Sequence, residues 1–312
     1  MSAVETKSPT GAPTLVMGPL LFNWSPERFA DFYAEVADEM DVDRVHVGEV
    51  VCSKREPFYA DLLPDVIERL KRAGKTVVVD TPALVTLKRE RQLVADMAAL
   101  DGVEIEINDF SPLATLETGR RFAVSPLVNV YDEGTFAQLT RLGAWSIALP
   151  YELPIASIER LAAEGTRLGV ETQVHVFGRL PLAISGRCYH ARIHGLAKDS
   201  CQFVCNKDPD GLEVDTLDGE GFLSINGVQT MSQNVVVVAD ELERLIAAGV
   251  SAFRLSPHAC DMGRVAKIFR SGLAGSIDGG EVRALLGEVG LAPPMGPAMM
   301  TGTWPATASG GR

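Results

Sequence analysis

The sequence predicts an α/β protein folded as a (β/α)8 barrel of the TIM type, irregular in places. Short β-branched runs alternate with amphipathic stretches, the pattern of a parallel sheet with helices on its outside. Several runs are apolar almost throughout, as strands covered on both faces must be. Roughly seven or eight such units in about 250 residues match the usual size of a barrel. An open doubly wound sheet is the competing topology. No GxGxxG follows the first strand and no Walker A loop is present, which weakens a dinucleotide or ATP reading.

The predicted strands are TLVMGPL, RVHVGEVV, KTVVVDTP, VEIEIND, FAVSPLVNVYD, WSIALPYE and ETQVHVFGR. A first helix is expected in SPERFADFYAEVADEM, with Ser25 as N-cap and Pro26 at the first helical position. A second is expected in FYADLLPDVIERLKRAG, with basic residues in its last turn and Gly74 as C-cap. TFAQLTRLGA and PIASIERLAAEGTRLG supply a third and a fourth. NVVVVADELERLIAAGVSAFRLSP repeats the theme near the end. The domain reading is a disordered tail over 1–14, one barrel domain over 15–292 that includes the cysteine segment 186–205, and a flexible tail over 293–312.

Composition narrows the function. The chain has 312 residues and a net charge of −12, which argues against a nucleic-acid scaffold, because phosphate binding needs clustered Lys and Arg. No apolar run is long enough to span a bilayer. The polar opening MSAVETKSPTGAPT lacks the basic-then-apolar pattern of a secretory signal, so a cytoplasmic protein is expected. Five cysteines in such a protein point to metal binding or catalysis rather than to disulfides.

In a barrel the site lies at the C-terminal ends of the strands. Those ends carry Glu49, Asp80, Asn108, Asp109, Asn129, Glu152, His175 and Arg179, with Cys52 and Arg55 just beyond. About half should be caps and turn formers, which Asp and Asn supply routinely. Glu49, Arg55, His175 and Arg179 are harder to explain that way and are the candidate substrate-binding residues. No catalytic residue is assigned.

The segment GRCYHARIHGLAKDSCQFVC, residues 186–205, spaces Cys188, Cys201 and Cys205 as C-x12-C-x3-C. Three thiolates can hold a soft metal, but closed sites usually take four ligands. Cys52, Cys260, His190 and His194 are the candidates for the fourth. Cys52 follows a strand and so shares the rim with this segment; Cys260 follows the strand-like AFRLSP and is not excluded by that argument. Zinc sites usually use paired short spacings, and only one short pair is present, so scattered ligands lean toward iron–sulfur. The two histidines have a plainer reading as hydrogen-bond donors to carbonyls. Tyr189 and Phe203 can pack around the site and exclude water.

Taken together, LLFNWSPERFADFYAEVAD, VHVGEVVCSKR, VVVDTPALVT, NVYDEGTFAQLTRLGA and the cysteine segment resemble the collagenase-like (PrtC-type) peptidase superfamily, in its ubiquinone-biosynthesis branch. The resemblance covers nearly the whole chain apart from both tails. It implies a 4Fe-4S cluster on Cys52, Cys188, Cys201 and Cys205, with Cys260 left outside. It further implies an iron–sulfur subunit of an oxygen-independent ring-hydroxylating system in ubiquinone biosynthesis. Implied partners are a homologous UbiU-like subunit, forming a heterodimer, and a UbiT-like lipid-binding accessory protein, with prephenate as oxygen donor to a quinone precursor. Arg55 and Arg179 could then clamp the two prephenate carboxylates. The superfamily name suggests proteolysis, yet neither a GxSxG elbow nor an HExxH helix is present. A zinc-stabilised barrel that serves only as a binding partner is the other alternative.

Overall fold

A computed structural model describes residues 11–296. Strands and helices alternate through β1 (Thr14–Met17), α1 (Pro26–Asp38), β2 (Arg44–Val47), α2 (Leu63–Arg72), β3 (Thr76–Asp80), α3 (Lys88–Ala98) and β4 (Glu104–Ile107). They continue through β5 (Phe122–Val124), α4 (Glu133–Arg141), β6 (Ala144–Ala148), α5 (Ile155–Leu168) and β7 (Glu171–Gly178). A long insertion then carries β8 (Pro181–Ile184), α6 (Tyr189–Ile193), β9 (Leu212–Asp215), β10 (Gly221–Asn226), β11 (Gln229–Ser232) and β12 (Val235–Val237). The chain closes with α7 (Leu242–Ala247), β13 (Ala252–Leu255), α8 (Met262–Leu273), α9 (Gly279–Leu286) and β14 (Met295–Gly296).

Each of β1 to β6 pairs in parallel with the next, and β13 pairs in parallel with both β7 and β1. The result is a closed eight-stranded barrel, as the strand–helix alternation predicts. Local signals act where they were read. Ser25 accepts a hydrogen bond from the Arg28 amide at 3.3 Å and Pro26 opens α1. That helix buries Phe29, Phe32, Tyr33, Val36 and Ala37, one face of a 3.6-residue period. Asp132 caps α4, so the third helix begins two residues before TFAQLTRLGA.

Some elements differ from expectation. Helix α2 starts at Leu63, because Pro64 in its first turn favours a fresh start, and residues 56–58 form only a 3-10 turn. Helix α3, KRERQLVADMA, is too charged to show an apolar stripe and was not anticipated. A single 3-10 turn, Ser111–Ala114, replaces an α-helix between β4 and β5. The VVVV run does not join the barrel; Val236 and Val237 pair antiparallel with the end of β7. Strands β8, β11, β10 and β9 form a separate antiparallel sheet that was not foreseen, although Asn226-Gly227 between two alternating runs is a hairpin signal. Met295–Gly296 pairs with Val235–Val236, so ordered structure extends into the span read as the C-terminal tail; 1–10 and 297–312 lie outside the described residues.

The barrel lumen is polar. Arg44 on β2 meets Glu171 on β7 through two bonds of 2.6 and 2.9 Å, and Ser146 donates to the same carboxylate. Nearer the mouth, Arg254 on β13 forms a two-bond pair with Glu106 on β4 and also donates to Gln173. β2 and β7, and likewise β13 and β4, are not sheet neighbours, so the Arg44–Glu171 and Arg254–Glu106 pairs cross the lumen. His46 completes the layer: its Nε2 faces Arg254 at 3.4 Å and its Nδ1 lies 3.0 Å from Asp80. Burial holds His46 well below its ordinary pKa, so the ring is neutral and Nδ1–H donates to Asp80.

Replacing Arg254 by Leu should leave Glu106 buried without its cation. Loss of one partner of such a pair costs about 3–5 kcal/mol, and urea unfolding should show it as a lowered midpoint. Burial pushes the Asp80 carboxyl up to about 7. A raised folded pKa means that Asp80 favours the fold below about 4 and that this contribution is withdrawn as pH rises toward 7. Asp80→Asn cannot ionise, so its stability should improve relative to wild type as urea titrations are moved across that window. A pH-independent difference would contradict this assignment.

Candidate metal centre at the barrel mouth

Parallel strands deliver every following loop to one rim, and this places the cysteines. After β2 the chain turns at Gly48, whose φ is +125° and where a Cβ would stand 2.7 Å from the Asp80 carbonyl. Glu49 shapes the next turn by accepting from the amides of Val51 and Cys52, both at 2.9 Å. Cys188 caps α6: its Sγ donates to the Gly227 carbonyl at 3.2 Å and accepts from the Ala191 amide at 3.4 Å. Cys201 follows the 3-10 turn Lys198–Ser200. Cys205 sits in the 3-10 turn Val204–Lys207, entered through Gln202 and Phe203 at φ of 49° and 53°. Positive φ at two successive non-glycine residues is a costly backbone that the surrounding contacts must hold.

Cys52, Cys188 and Cys201 pack on one small apolar cluster, Leu21, Val50, Val51, Ala191 and Val228, distinct from the main core. Lys54 ties the two segments together by donating to the carbonyls of Lys198 at 2.8 Å and Asp199 at 3.1 Å. Phe58 meets Phe203 edge-on at 4.7 Å. Cys205 receives the Asn23 side-chain amide at 3.3 Å. The structure thus packs Cys52 on the same small apolar cluster as Cys188 and Cys201, whereas Cys260 lies against the main core. Cys260 packs against the main core beside Met262, and burial pushes its thiol up to about 12.

Arg55 is the buried cation of the site, 1% exposed. Its Nη2 donates to Asn226 at 2.6 Å, its Nη1 donates to the Leu21 carbonyl at 3.3 Å, and Glu49 lies 3.9 Å away. Burial alone would lower its pKa, but Glu49 and the sulfurs of Cys205 and Cys52 carry it upward. Burial raises the Cys52 and Cys188 thiols, with Arg55 pulling both back. Metal binding here must therefore displace protons, and Arg55 stands ready to offset the thiolate charge. Among the described residues no three cysteine sulfurs fall within 4.8 Å of one another. A lone tetrahedral zinc, with Zn–S near 2.3 Å, needs sulfurs about 3.8 Å apart. Thiolates from these cysteines are donors of the kind that hold soft or borderline metals, and their sulfurs are not drawn together around a single ion in this structure.

A narrow cleft at the mouth shares Leu21, Val50, Leu127 and Ile184 with the thiol cluster. Its polar lining includes Asn108, Ser125, Tyr151, Gln229, Arg254 and Ser256. Asn108 Nδ2 and Gln229 Oε1 are buried there without a partner, groups that a bound ligand would satisfy.

The other rim residues divide as their chemistry suggests. Asp109 accepts from Ser111 in a turn and Asn129 ends a 3-10 turn in the left-handed region. His175 lines a smaller neighbouring cleft, with its Nε2 3.3 Å from the Gly178 carbonyl; burial pushes it down to about 3. Arg179 donates to the carbonyls of Ser232 and Gln233, and burial lowers it to about 10. Arg55 and Arg179 commit Nη donors to this chain and keep only Nε buried without a partner, so a two-bond clamp on a substrate carboxylate would have to displace existing bonds. Asn23, Lys54, Asn226, Gln229 and Arg254 were not recognised from sequence. Arg254 lies in AFRLSP at a strand end, which is the one signal that could have exposed it.

Gly227 tests how firmly Arg55 is held. Its φ is +68°, and an added Cβ would stand 2.2 Å from Arg55 Nη2. A side chain in the left-handed region costs about 1–2 kcal/mol. Gly227→Ala should open the site and raise native-state thiol labelling of Cys188 and Cys205 by roughly tenfold, at 1.4 kcal/mol per factor of ten.

Several solved structures share low similarity with the chain. Orotidine 5'-monophosphate decarboxylase from Methanocaldococcus jannaschii is 14% identical over 53% of this chain and 83% of its own, with a TM-score of 0.35. The spore coat polysaccharide biosynthesis protein spsE of Bacillus subtilis is 7% identical over 96% of this chain and 75% of its own, at 0.38. DAHP synthase from Thermotoga maritima is 13% identical over 92% and 71%, at 0.31. The barrel assignment rests on this chain's own strand pairing. Residues 24–273, from the loop before α1 to the end of α8 and including all five cysteines, match the sequence model of peptidase family U32. The chain belongs to peptidase family U32.

Proposed function

We propose that this chain is an iron–sulfur subunit of the UbiV type, acting in oxygen-independent ubiquinone biosynthesis. Cys52, Cys188, Cys201 and Cys205 would hold a 4Fe-4S cluster. The observation that supports the reading is the packing of Cys52, Cys188 and Cys201, from two distant segments, on one apolar cluster, with the buried Arg55 close to the sulfurs of Cys205 and Cys52. Such a cluster supplies electron transfer, with a potential set by burial and by hydrogen bonds to sulfur. The chain's own contribution is electrostatic and steric. Asn23 donates to the Cys205 sulfur, Arg55 offsets thiolate charge, and Lys54 keeps the two cysteine loops together.

The mouth cleft shares an apolar wall with the cysteines, and in this closed form it has room for about one water, so a small substrate would have to widen it. Asn108 and Gln229 supply unsatisfied polar groups there. In this reading prephenate is the oxygen donor for ring hydroxylation of a quinone precursor. A homologous UbiU-like subunit forms a heterodimer with the chain, and a UbiT-like lipid-binding protein presents the precursor. The charge of −12 supports delegated delivery, because docking on anionic lipid needs basic patches. Among the described residues no helix is long and apolar enough to cross a membrane.

Iron and sulfide analysis of protein purified without oxygen tests the proposal. The expected result is a brown protein with about four irons per chain, since four thiolates are the usual complement of such a cluster. Alanine at Cys52, Cys188, Cys201 or Cys205 should abolish it, and Cys260→Ala should retain it. Colourless protein with stoichiometric zinc would overturn the cluster. Iron that survives Cys52→Ala but not Cys260→Ala would overturn the ligand set. Proteolysis that persists after all metal is removed would make the chain a peptidase instead.

A further inference from the structure

We propose a second metal site, separate from the thiols, in which His190, His194 and Asp208 hold one divalent first-row transition ion. The donor atoms of these three residues all lie within 4.8 Å of one another. His190 and His194 stand four residues apart on α6 and at its end, so both project from one side of the turn. Their rings are 5.5 Å apart and inclined by only 20°.

His190 is fully buried, and its Nδ1 lies 3.3 Å from the Ile225 carbonyl. That contact makes Nδ1–H the donor and leaves a lone pair on Nε2, the arrangement that orients metal-binding imidazoles. Nε2 sits 3.0 Å from the Asp208 carboxylate yet has no hydrogen-bond partner of acceptable geometry. Two acceptors that face each other this closely repel unless a cation lies between them. Ligands about 2.0–2.2 Å from one ion are about 3.0–3.4 Å apart, which matches this separation.

The backbone behind the carboxylate is anchored, because Asn226 Nδ2 donates to the Asp208 carbonyl at 2.9 Å and to the Cys205 carbonyl at 3.1 Å. His194 is exposed and Asp208 half-buried, so solvent can fill the remaining coordination positions. Two imidazoles and one carboxylate suit zinc, iron, cobalt or nickel better than calcium or magnesium. The lumen trio His46, Asp80 and Glu106 is equally tight, but Arg254 already supplies its positive charge.

Cobalt(II) titration of the full-length protein, kept free of oxygen, tests the site. One equivalent should bind with weak visible d–d bands and no sulfur-to-metal charge-transfer band. His194→Ala changes only an exposed side chain, and Asp208→Asn keeps the shape of the carboxylate. Each should weaken cobalt binding by more than roughly tenfold, the loss expected even for a supporting residue, while Cys201→Ser leaves it unchanged. Circular dichroism of the variants should match wild type. The proposal is overturned by absence of binding. It is equally overturned if all bound cobalt is thiolate-ligated, with the charge-transfer band and the binding both lost in Cys201→Ser, or by affinity indifferent to both His194→Ala and Asp208→Asn. Because the readout excludes sulfur ligation, failure here is distinct from failure of the iron–sulfur reading.

Discussion

Strand β13 pairs with β7 on one edge and with β1 on the other, and the architecture follows from that double pairing. With both edges satisfied, no strand of the eight offers unpaired backbone along a barrel edge. A closed parallel barrel sends every strand-to-helix connection to the same rim. The loop after β2 and the long insertion after β7 must therefore emerge side by side, although they are far apart in sequence. The packing of Cys52, Cys188 and Cys201 on one apolar cluster is a consequence of barrel closure.

Above that frame the polar groups form layers along the barrel. Arg44 and Glu171 occupy the layer nearest the strand starts, and Arg254, Glu106, His46 and Asp80 the layer beneath the mouth. Above these lie the cleft and, across a thin apolar wall, the thiols with Arg55. Each buried cation has a different task. Arg254 is matched by a carboxylate and braces the lumen. Arg55 has only a distant carboxylate at 3.9 Å and otherwise faces sulfurs and neutral oxygens, so its charge is available to ligands that become anionic when they lose protons.

Asn226 connects the two proposed metal sites. Its carbonyl oxygen receives Arg55, and its amide holds the backbone of both Cys205 and Asp208. The neighbouring Gly227 accepts the Cys188 thiol. The tip of the β10–β11 hairpin therefore acts as a template against which the cysteine segment and the histidine helix are both set. A small antiparallel sheet is suited to this, because its cross-strand bonds hold the tip independently of the barrel.

The alternation of strands and helices, the N-terminal cap of α1 and the placement of Glu49 and Cys52 just past a strand end were all determined by sequence. Hydrophobic period, capping residues and strand ends are local signals, and each acts over a few neighbours. The template hairpin, the hydrogen-bond partners of Arg55 and Arg179, the lumen network and the packing of Cys52 beside Cys188 and Cys201 were decided only by tertiary structure. Those depend on which residues meet across the lumen or the rim, and a linear pattern carries no record of contacts between segments more than a hundred residues apart. Asn226 and Arg254 look like ordinary strand residues in the sequence; what makes them central is the partner that barrel closure places opposite them.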